Sequence, residues 1–256
     1  MALFSTRVVF LHIPKTAGQT IHSELTRVMG DKVVSPVRVH TQAPCMEGQF
    51  PPGYQLYSGH IDWNALETVP SPRFVFTVLR DPLERIASFY FYLRRQAQSL
   101  TPSDLASPSR TGMRMVLERS PDAYFMDGPP SWQKFIADHY HSPYCSYLAT
   151  RKIRGFSQVA MLSQEALLTR ALEGATALDG IYTVDRLDRL ETDLKDRLGL
   201  KVHLTDRFVN SDPGDKTTAR WPKLATLLQH DDTRKRLEEF ALADRELMNR
   251  LGLMEG

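Results

Sequence analysis

The segment Val8–Thr20, which reads VVFLHIPKTAGQT, constrains the fold more than any other part of the sequence. Its first half, Val8–Ile13, is a short apolar run rich in β-branched residues, which is typical of a buried strand. Pro14 ends the run, and a turn of small residues leads into Ile21–Met29, where apolar residues recur at helical spacing. The segment therefore predicts a strand, a tight turn and a helix.

The turn in this segment has the features of an anion site. A strand–turn–helix junction points backbone N–H groups and the positive end of the helix dipole at one place, which suits a phosphate or a sulfate. Gly18 lets the backbone approach closely, and Lys15 adds a positive charge. The hydroxyls of Thr16 and Thr20 are further donors. The lysine precedes the glycine, unlike in a Walker A loop, and an ordinary βα connection with an exposed lysine explains the stretch equally well.

A second unit of the same kind follows in the chain. Arg73–Leu79 (RFVFTVL) has the composition of a buried strand, and Leu83–Arg95 carries a broad apolar face at helical spacing. Between them, Asp81 suits a helix N-cap and Pro82 the first helical position. Arg80 places a cation at this turn too. Two such units predict an α/β fold in which helices flank a central parallel sheet.

The rest of the chain supplies weaker elements and one long polar stretch. Gln96–Pro130, rich in Ser and Pro, predicts a partly mobile excursion with one helical piece near Gly112–Glu118. Because no internal repeat or linker is evident, we expect one domain over residues 1–256 with an excursion around residues 96–130. The other predicted elements are a strand near Val33–Val39, a short segment at Leu56–His60, one or two helical turns within Asp62–Thr68, a helix from Ser131 to Pro143, a helix at Gln164–Glu173, a strand at Asp179–Val184, and helices at Leu187–Leu198, Leu224–Gln229 and Thr233–Leu251.

The charge balance and the cysteine content limit the classes of protein that the sequence fits. Lys and Arg number 32 and Asp and Glu 30, a balance that argues against nonspecific nucleic-acid binding as the main role but leaves room for a local basic pocket. Met1–Thr6 lacks the basic start of a signal peptide, and no apolar run approaches the ~20 residues that span a bilayer. We therefore expect a cytoplasmic protein without a membrane span. Cys45 and Cys145 match no metal-binding spacing, and one long-range disulfide between them stays open.

Three segments taken together resemble sulfotransferases. They are HIPKTAGQT at His12–Thr20, YSGHI at Tyr57–Ile61 and VLRDPLERIASFYFYLR at Val78–Arg94. The likeness is to the branch that contains heparan sulfate 2-O-sulfotransferase and related bacterial proteins, and GIYTVDRLDRLETDL and EEFALAD are similar to its late strand–helix and closing helix. The resemblance spans nearly the whole chain and is thin across Gln96–Ser157. It implies the P-loop-like nucleotide-binding fold of sulfotransferases.

The resemblance also implies a donor and the residues that hold it. The family binds 3′-phosphoadenylyl sulfate (PAPS) and moves its sulfuryl group to an acceptor hydroxyl or amine. Arg80 and Ser88 would hold the 3′-phosphate, with Lys216 or Arg220 of the loop Asn210–Arg220 closing over the nucleotide. The residues of the first turn that would hold the 5′-phosphosulfate are Pro14, Lys15, Thr16, Ala17, Gly18, Gln19 and Thr20.

The chemistry of the transfer assigns roles to two side chains. Sulfuryl transfer, like phosphoryl transfer, is an in-line displacement in which charge builds on the leaving oxygen, so positioning and electrostatics dominate. Lys15 is placed to neutralise the bridging oxygen of the departing 3′-phosphoadenosine 5′-phosphate (PAP), and no metal is required. His60 is the candidate general base, because imidazole titrates near neutrality. Asp62 is the alternative base or the group that orients His60.

Several alternatives remain at this point. Arg80 has a second interpretation as the partner of Asp81 or Glu84 in a salt bridge, and His12 is expected to be packed in the first strand. The aromatic residues of the segment 131–150 form either a ligand platform or part of the core; they include Trp132, Phe135, Tyr140, Tyr144 and Tyr147.

Two other functions are compatible with the predicted fold. One is a P-loop-type phosphotransferase or NTPase, which would need the missing GK[ST] and a magnesium carboxylate. The other is a noncatalytic module that binds anions. For a sulfotransferase, the sequence leaves the hydroxyl-bearing acceptor open among a polysaccharide, a lipid headgroup and a small alcohol or phenol.

Overall fold

A four-stranded parallel sheet lies at the centre of the structure. The computed structural model describes residues 6–43, 45, 47–205 and 219–254. Strands β1 (Arg7–Leu11), β2 (Leu56–Gly59), β3 (Arg73–Leu79) and β4 (Gly180–Thr183) lie in the order β2-β1-β3-β4, and every neighbouring pair is parallel. The predicted α/β class with a central parallel sheet is therefore confirmed.

Helices cover both faces of this sheet and extend beyond it. The helices of the described residues are α1 (Gly18–Met29), α2 (Pro82–Gln98), α3 (Pro102–Leu105), α4 (Thr111–Glu118), α5 (Pro121–Met126), α6 (Pro130–Tyr140), α7 (Pro143–Thr150), α8 (Phe156–Val159), α9 (Gln164–Ala175), α10 (Leu187–Leu198), α11 (Arg220–Ala225) and α12 (Asp231–Arg250). Helices α1 and α10 pack on one face of the sheet, and α7, α9 and α12 on the other.

Side-chain alternation along β1 explains its unbroken apolar sequence. Val8 and Phe10 point toward α1 and α10, whereas Val9 and Leu11 point toward the opposite helical layer. All four side chains are fully buried, as expected for a parallel strand with helices on both faces. Phe10 also stacks on Phe76 of β3 with ring centroids 4.9 Å apart, which joins the two central strands on the α1 face.

A third apolar cluster holds the helices that lie away from the sheet. It is built from α2, α4, α5, α6, α11 and α12. Trp132 and Tyr140 are buried in this cluster with Phe135 packed against it, and Tyr144 and Tyr147 are buried between α7 and the sheet. The core interpretation is thus correct for Trp132, Phe135, Tyr140 and Tyr144, whereas Tyr147 is buried but also lines a cavity.

Two loop predictions are wrong for physical reasons. The strand expected near Val33–Val39 is reduced to two isolated bridges to the β2 region, Val34 with Leu56 and Val39 with His60, because Pro36 has no N–H to continue a ladder. In the excursion around residues 96–130, the predicted helical piece near Gly112–Glu118 is present as α4, but α3 and α5 are additional helices. Both α3 and α5 start with Pro after a Thr or Ser cap, so the Ser and Pro content there marks helix starts rather than an irregular loop.

Two helix boundaries also differ from the prediction. The aromatic segment continues as α7 beyond Pro143, because that proline occupies the first position of a new helix. Helix α11 spans Arg220–Ala225, whereas Leu224–Gln229 was the predicted range. Within the described residues no helix is both long and apolar enough to cross a membrane. Cys45 is exposed, Cys145 is buried and both are free thiols, so the disulfide that the sequence left open is not formed.

Candidate active site

The strand order brings the two predicted anion turns to one place. The chain passes from β1 to β2 on one side and later enters β3 on the other side of β1, so that β1 and β3 are neighbours. In open α/β sheets, ligands bind at the carboxyl ends of the strands where the direction of winding reverses. Lys15 follows β1, Arg80 follows β3, and both line one cavity of about 920 Å³.

Most of the candidate site residues line this cavity. They are Pro14, Lys15, Ala17, Gly18, Gln19, Thr20, His60, Arg80, Ser88 and Arg220. Thr16 is fully buried and is absent from the described lining, because its hydroxyl donates to the Ile13 carbonyl at 2.8 Å and closes the turn. Lys216 lies outside the described residues. Thr16 thus shapes the loop from within, while its neighbours face the cavity.

The loop between β1 and α1 has an unusual backbone conformation. Lys15 and Ala17 adopt positive φ angles of 76° and 61°, a backbone conformation that residues other than glycine rarely adopt. Helix α1 begins directly after Ala17, whose carbonyl accepts the first bond from the Ile21 N–H at 3.2 Å. The N–H groups of the first helical turn have no partner within the helix. They and the helix dipole favour an anion at this end of the cavity.

Gly18 is required by a neighbouring side chain. A β-carbon at this position would lie 1.7 Å from Nε2 of His12, so the imidazole occupies the space that any larger residue would need. The His12 ring stacks on that of His60 with centroids 4.2 Å apart. The close approach that the sequence predicted for Gly18 is therefore made, in this structure, to a histidine at the end of β1.

His60 is held in one tautomer at the end of β2. Its Nδ1 donates to the His12 carbonyl at 2.8 Å, so the neutral ring carries its lone pair on Nε2. Burial lowers the pKa of His60 to about 4, against the effect of this hydrogen bond, and Arg38 and Arg85 lower it further. His60 is therefore neutral at pH 7 and has a free acceptor nitrogen. The backbone at Gly59 packs against the Arg38 carbonyl, where a β-carbon would come within 2.3 Å.

Asp62, the alternative base, is engaged elsewhere. Its Oδ1 accepts a hydrogen bond from the Ile153 N–H at 2.8 Å, and its own N–H donates to Oε1 of Gln49 at 3.2 Å. Asp62 is not among the described residues that line the cavity. The group that orients His60 is the His12 carbonyl, and of the two residues only His60 lines the cavity.

Cations surround Lys15 at the cavity. Burial, together with repulsion from Arg95, Arg220, Arg80 and Arg85, lowers the pKa of Lys15 to about 8. The ammonium lies 4.1 Å from the centre of the Tyr92 ring, a cation–π contact that replaces part of its hydration. So many positive groups together are costly in the absence of an anion, and the cluster is suited to bind a multiply charged one.

The salt bridge proposed as an alternative for Arg80 is not formed. Asp81 caps α2 by accepting from the Glu84 N–H at 2.9 Å. The Glu84 carboxylate accepts from the N–H groups of Arg220 and Trp221 at 2.9 and 2.8 Å. Among the described residues the Arg80 guanidinium has no ion pair. It faces the cavity with its charge available to a ligand.

The backbone of Arg80 is fixed by a buried tyrosine. The Tyr144 hydroxyl accepts from the Arg80 N–H at 3.2 Å and donates to the Arg80 carbonyl at 2.9 Å. Tyr144 is the second residue of α7, and its N–H and that of Cys145 donate to the buried Asp244 carboxylate at 3.1 and 2.9 Å. Burial raises the pKa of Asp244 to about 6.

Arg85 is the main residue that the sequence analysis missed. Its side chain is only 2% exposed, lines the cavity, and donates from Nε to the Pro14 carbonyl at 3.1 Å and from Nη1 to the His139 carbonyl at 2.7 Å. The sequence did contain an indication of its position: Arg85, Ser88 and Tyr92 are spaced three and four residues apart, which places them on one face of a helix. Other residues of the lining that were not predicted are His12, Val39, His40, Phe89, Asp138, His139 and Arg154.

The site thus combines an anion-binding helix start, clustered cations and an oriented neutral histidine around one cavity. Lys15, Arg80 and His60 all line it, and the His60 ring stacks on that of His12, which precedes the loop that carries Lys15. Comparison of the chain with protein-family models and with curated proteins found no match. A function is therefore inferred from these residues and from the motifs of the sequence.

Proposed function

We propose that the protein is a sulfotransferase that moves the sulfuryl group of PAPS to an acceptor hydroxyl, with His60 as the general base. One observation carries the proposal: Lys15 and Arg80 follow two different strands and line the same cavity. PAPS has anionic groups at the 5′ and 3′ ends of one nucleoside and needs two such cationic sites. The cavity of about 920 Å³ falls in the range of small-molecule pockets. A P-loop-like sulfotransferase fold agrees with this arrangement.

In the proposed function, separate sets of residues bind the 5′ end and the 3′ end of PAPS. The N–H groups at the start of α1 and the Lys15 ammonium bind the 5′-phosphosulfate. The Arg80 guanidinium offers a planar fork to the 3′-phosphate, and Ser88, on the next two turns of α2, donates its hydroxyl. Arg220 lines the same cavity and adds charge on that side. A polyanion relieves the repulsion among these cations, which is the physical reason for the cluster.

The transfer step uses Lys15 and His60. As the acceptor oxygen forms a bond to sulfur and the bond from sulfur to the bridging oxygen breaks, Lys15 neutralises the charge that develops on PAP. His60 accepts the acceptor's proton at Nε2, because Nδ1 is committed to the His12 carbonyl. Negative charge bound nearby raises the pKa of an imidazole, so the donor increases the basicity that burial has reduced.

Calorimetry with PAP tests the donor site. We expect the wild-type chain to bind PAP and Arg80→Ala to lose at least about 1.5 kcal/mol of binding free energy, the low end for a charged hydrogen bond. Arg73→Ala is the matched control, since Arg73 pairs with Glu67 away from the cavity. A wild-type chain that ignores PAP but hydrolyses ATP with magnesium would favour a phosphotransferase, and binding unaffected by Arg80→Ala would contradict the proposed site.

Turnover of labelled PAPS tests the base. In a screen of hydroxyl-bearing acceptors followed by mass spectrometry for the added sulfo group, His60→Ala is expected to lose about 10²- to 10⁴-fold in rate and to retain PAP binding. His141→Ala is the matched control, because His141 stacks between Phe156 and Phe240 and does not line the cavity. Substantial turnover in a folded His60→Ala variant would show that another group accepts the proton.

A further inference from the structure

Arg85 is an unusual residue for an interior position. It is a charged side chain that is 2% exposed, and none of the ion pairs formed by the described residues includes it. The groups whose charge favours it are Tyr144, Asp244 and Tyr140, and the Asp244 carboxylate is already engaged by α7. A buried charge without a paired partner is costly, so its retention needs a reason.

The two hydrogen bonds of Arg85 join two separate segments that line the cavity. The Pro14 carbonyl lies at the start of the loop that carries Lys15, on the donor side. The His139 carbonyl lies in the last turn of α6, where backbone acceptors have no partner within the helix. His139 and Asp138 from that turn line the cavity. One guanidinium, with bonds of 3.1 and 2.7 Å, therefore connects the donor loop to a helix with no place in the donor site.

Arg85 lies close enough to act electrostatically on groups from both elements. Together with burial and other cations, it lowers the pKa of Lys15 in the donor loop and that of His139 in α6. It also lowers the pKa of His60. The lining residues that have no part in the proposed donor site include His40, Asp138, His139 and Arg154, and the inference assigns them to the acceptor.

We propose that Arg85 is a positioning residue that fixes the distance between the donor loop and the acceptor wall formed by the end of α6. The inference rests on the proposed sulfotransferase function. In-line transfer depends on this distance, because a misplacement of about 1 Å can cost about 100-fold in rate. Donor affinity depends on other groups, chiefly Lys15 and Arg80. Loss of Arg85 therefore lowers the rate of transfer far more than it weakens donor binding.

Two variants separate this role from general stability. Arg85→Lys keeps the charge, but a single ammonium lacks the planar fork that reaches two carbonyls. Arg85→Gln removes the buried charge and retains one hydrogen-bond donor group. Because Arg85→Lys and Arg85→Gln differ in charge, at least one of these two variants is expected to fold. Arg73→Lys is the matched control, since Arg73 also donates to a backbone carbonyl, that of Val69 at 2.7 Å, away from the cavity.

Kinetics and hydrogen exchange give the decisive readouts. In folded Arg85 variants we expect single-turnover transfer to fall about 100-fold, with the PAP dissociation constant within about threefold of wild type in Arg85→Lys, which keeps the positive charge. Amide exchange is expected to accelerate in residues 14–18 and in residues 137–141 together, and in neither segment of Arg73→Lys. In the wild-type chain, PAP is expected to slow exchange in residues 137–141, a test that needs no variant.

The outcomes distinguish the inference from the function on which it rests. Unchanged transfer, a loss of PAP affinity that matches the loss of rate, or faster exchange in only one of the two segments would overturn the role of Arg85. If the wild-type chain neither binds PAP nor transfers sulfate, the proposed function fails. In that case, exchange in the ligand-free variants still decides whether Arg85 connects the two walls.

Discussion

Lys15 shows at the scale of one residue how the fold prepares a charge for a ligand. Its backbone has a positive φ, its ammonium lies over the Tyr92 ring, and arginines surround it. Each of these features has a cost in the free protein, since strained backbone, lost hydration and like-charge repulsion all oppose it. An anion bound in the cavity offsets the lost hydration and the like-charge repulsion. The lowered pKa of Lys15 is the measurable sign of this preparation.

The pH dependence of PAP binding follows from that pKa. Burial and neighbouring arginines lower the pKa of Lys15 to about 8, so the ammonium that favours the anion is lost as pH rises through 8. Phosphate groups finish ionising near pH 6 and do not interfere above pH 7.5. We expect PAP affinity, measured by calorimetry from pH 7.5 to 9.5, to fall by up to about tenfold per pH unit above 8. Lys15→Arg stays charged and is expected to bind with a flat profile; a sloping profile in that variant would assign the titration to another group.

Gly18 and His12 form a pair whose coupling can be measured. Gly18→Ala places a β-carbon within 1.7 Å of the His12 ring and is expected to destabilise the fold by about 1–3 kcal/mol through overpacking. His12→Ala removes the ring, so Gly18→Ala in that background is expected to cost nothing. Urea unfolding of the four proteins completes the double-mutant cycle. Additive effects would mean that the two residues do not compete for the same space.

At the scale of elements, α7 connects the end of β3 with α12. Its Tyr144 hydroxyl holds both backbone groups of Arg80, and its first N–H groups are bound by Asp244 of α12. The position of the Arg80 backbone thus depends on contacts made by α7. If the proposed donor site is correct, the Tyr144 hydroxyl has an influence on donor binding.

Tyr144→Phe tests that influence. Removing the hydroxyl leaves a buried N–H and carbonyl of Arg80 unsatisfied, which is expected to lower the unfolding free energy by about 1–3 kcal/mol and PAP affinity about tenfold. Tyr57→Phe is the matched control: its buried hydroxyl donates to the Pro51 carbonyl at 2.8 Å, away from the cavity. The control is expected to lose similar stability and no affinity, whereas equal affinity losses in both variants would show that Tyr144 acts only on overall stability.

The sequence predicts elements best where apolar runs are unambiguous. β3 and α10 have the predicted bounds, and β1 ends two residues before its prediction. A short run such as Val33–Val39 fails because one proline decides whether a ladder continues. The residues of the site differ in the same way, because a local sequence pattern reveals some of them and not others. Lys15 and Arg80 are recognisable as cations at turns, whereas Arg85 acts through backbone carbonyls of Pro14 and His139 that no local pattern reveals.

At the scale of the whole molecule, the cavity exists because a layer of helices covers the carboxyl edge of the sheet. His12 and His60 come from that edge and His139 from the covering layer. Burial lowers the pKa of His60 to about 4 and of His139 to about 3, and that of His12 well below its ordinary value. Assembling the cavity therefore removes protonation sites that the unfolded chain has.

The stability of the protein is accordingly expected to fall in mild acid. Between pH 6.5 and 4 the unfolded chain binds protons at these three histidines that the folded chain does not, so the unfolding free energy decreases as pH is lowered. Asp244 has the opposite effect on stability. Its pKa is raised to about 6, so as pH falls the folded chain binds this proton before the unfolded chain does.

Burial also lowers the pKa of His22, His40 and His141, so six histidines oppose one carboxyl, and each proton contributes at most about 1.4 kcal/mol per pH unit to the slope near pH 5. Urea unfolding at pH 7, 6 and 5 measures the slope. His139→Gln is expected to make it shallower by about 1.4 kcal/mol per pH unit at most, which is the contribution of one proton. Stability that stays level from pH 7 to 5 would mean that these imidazoles accept protons as readily in the folded chain as in the unfolded one, which would contradict the lowered pKa of His60.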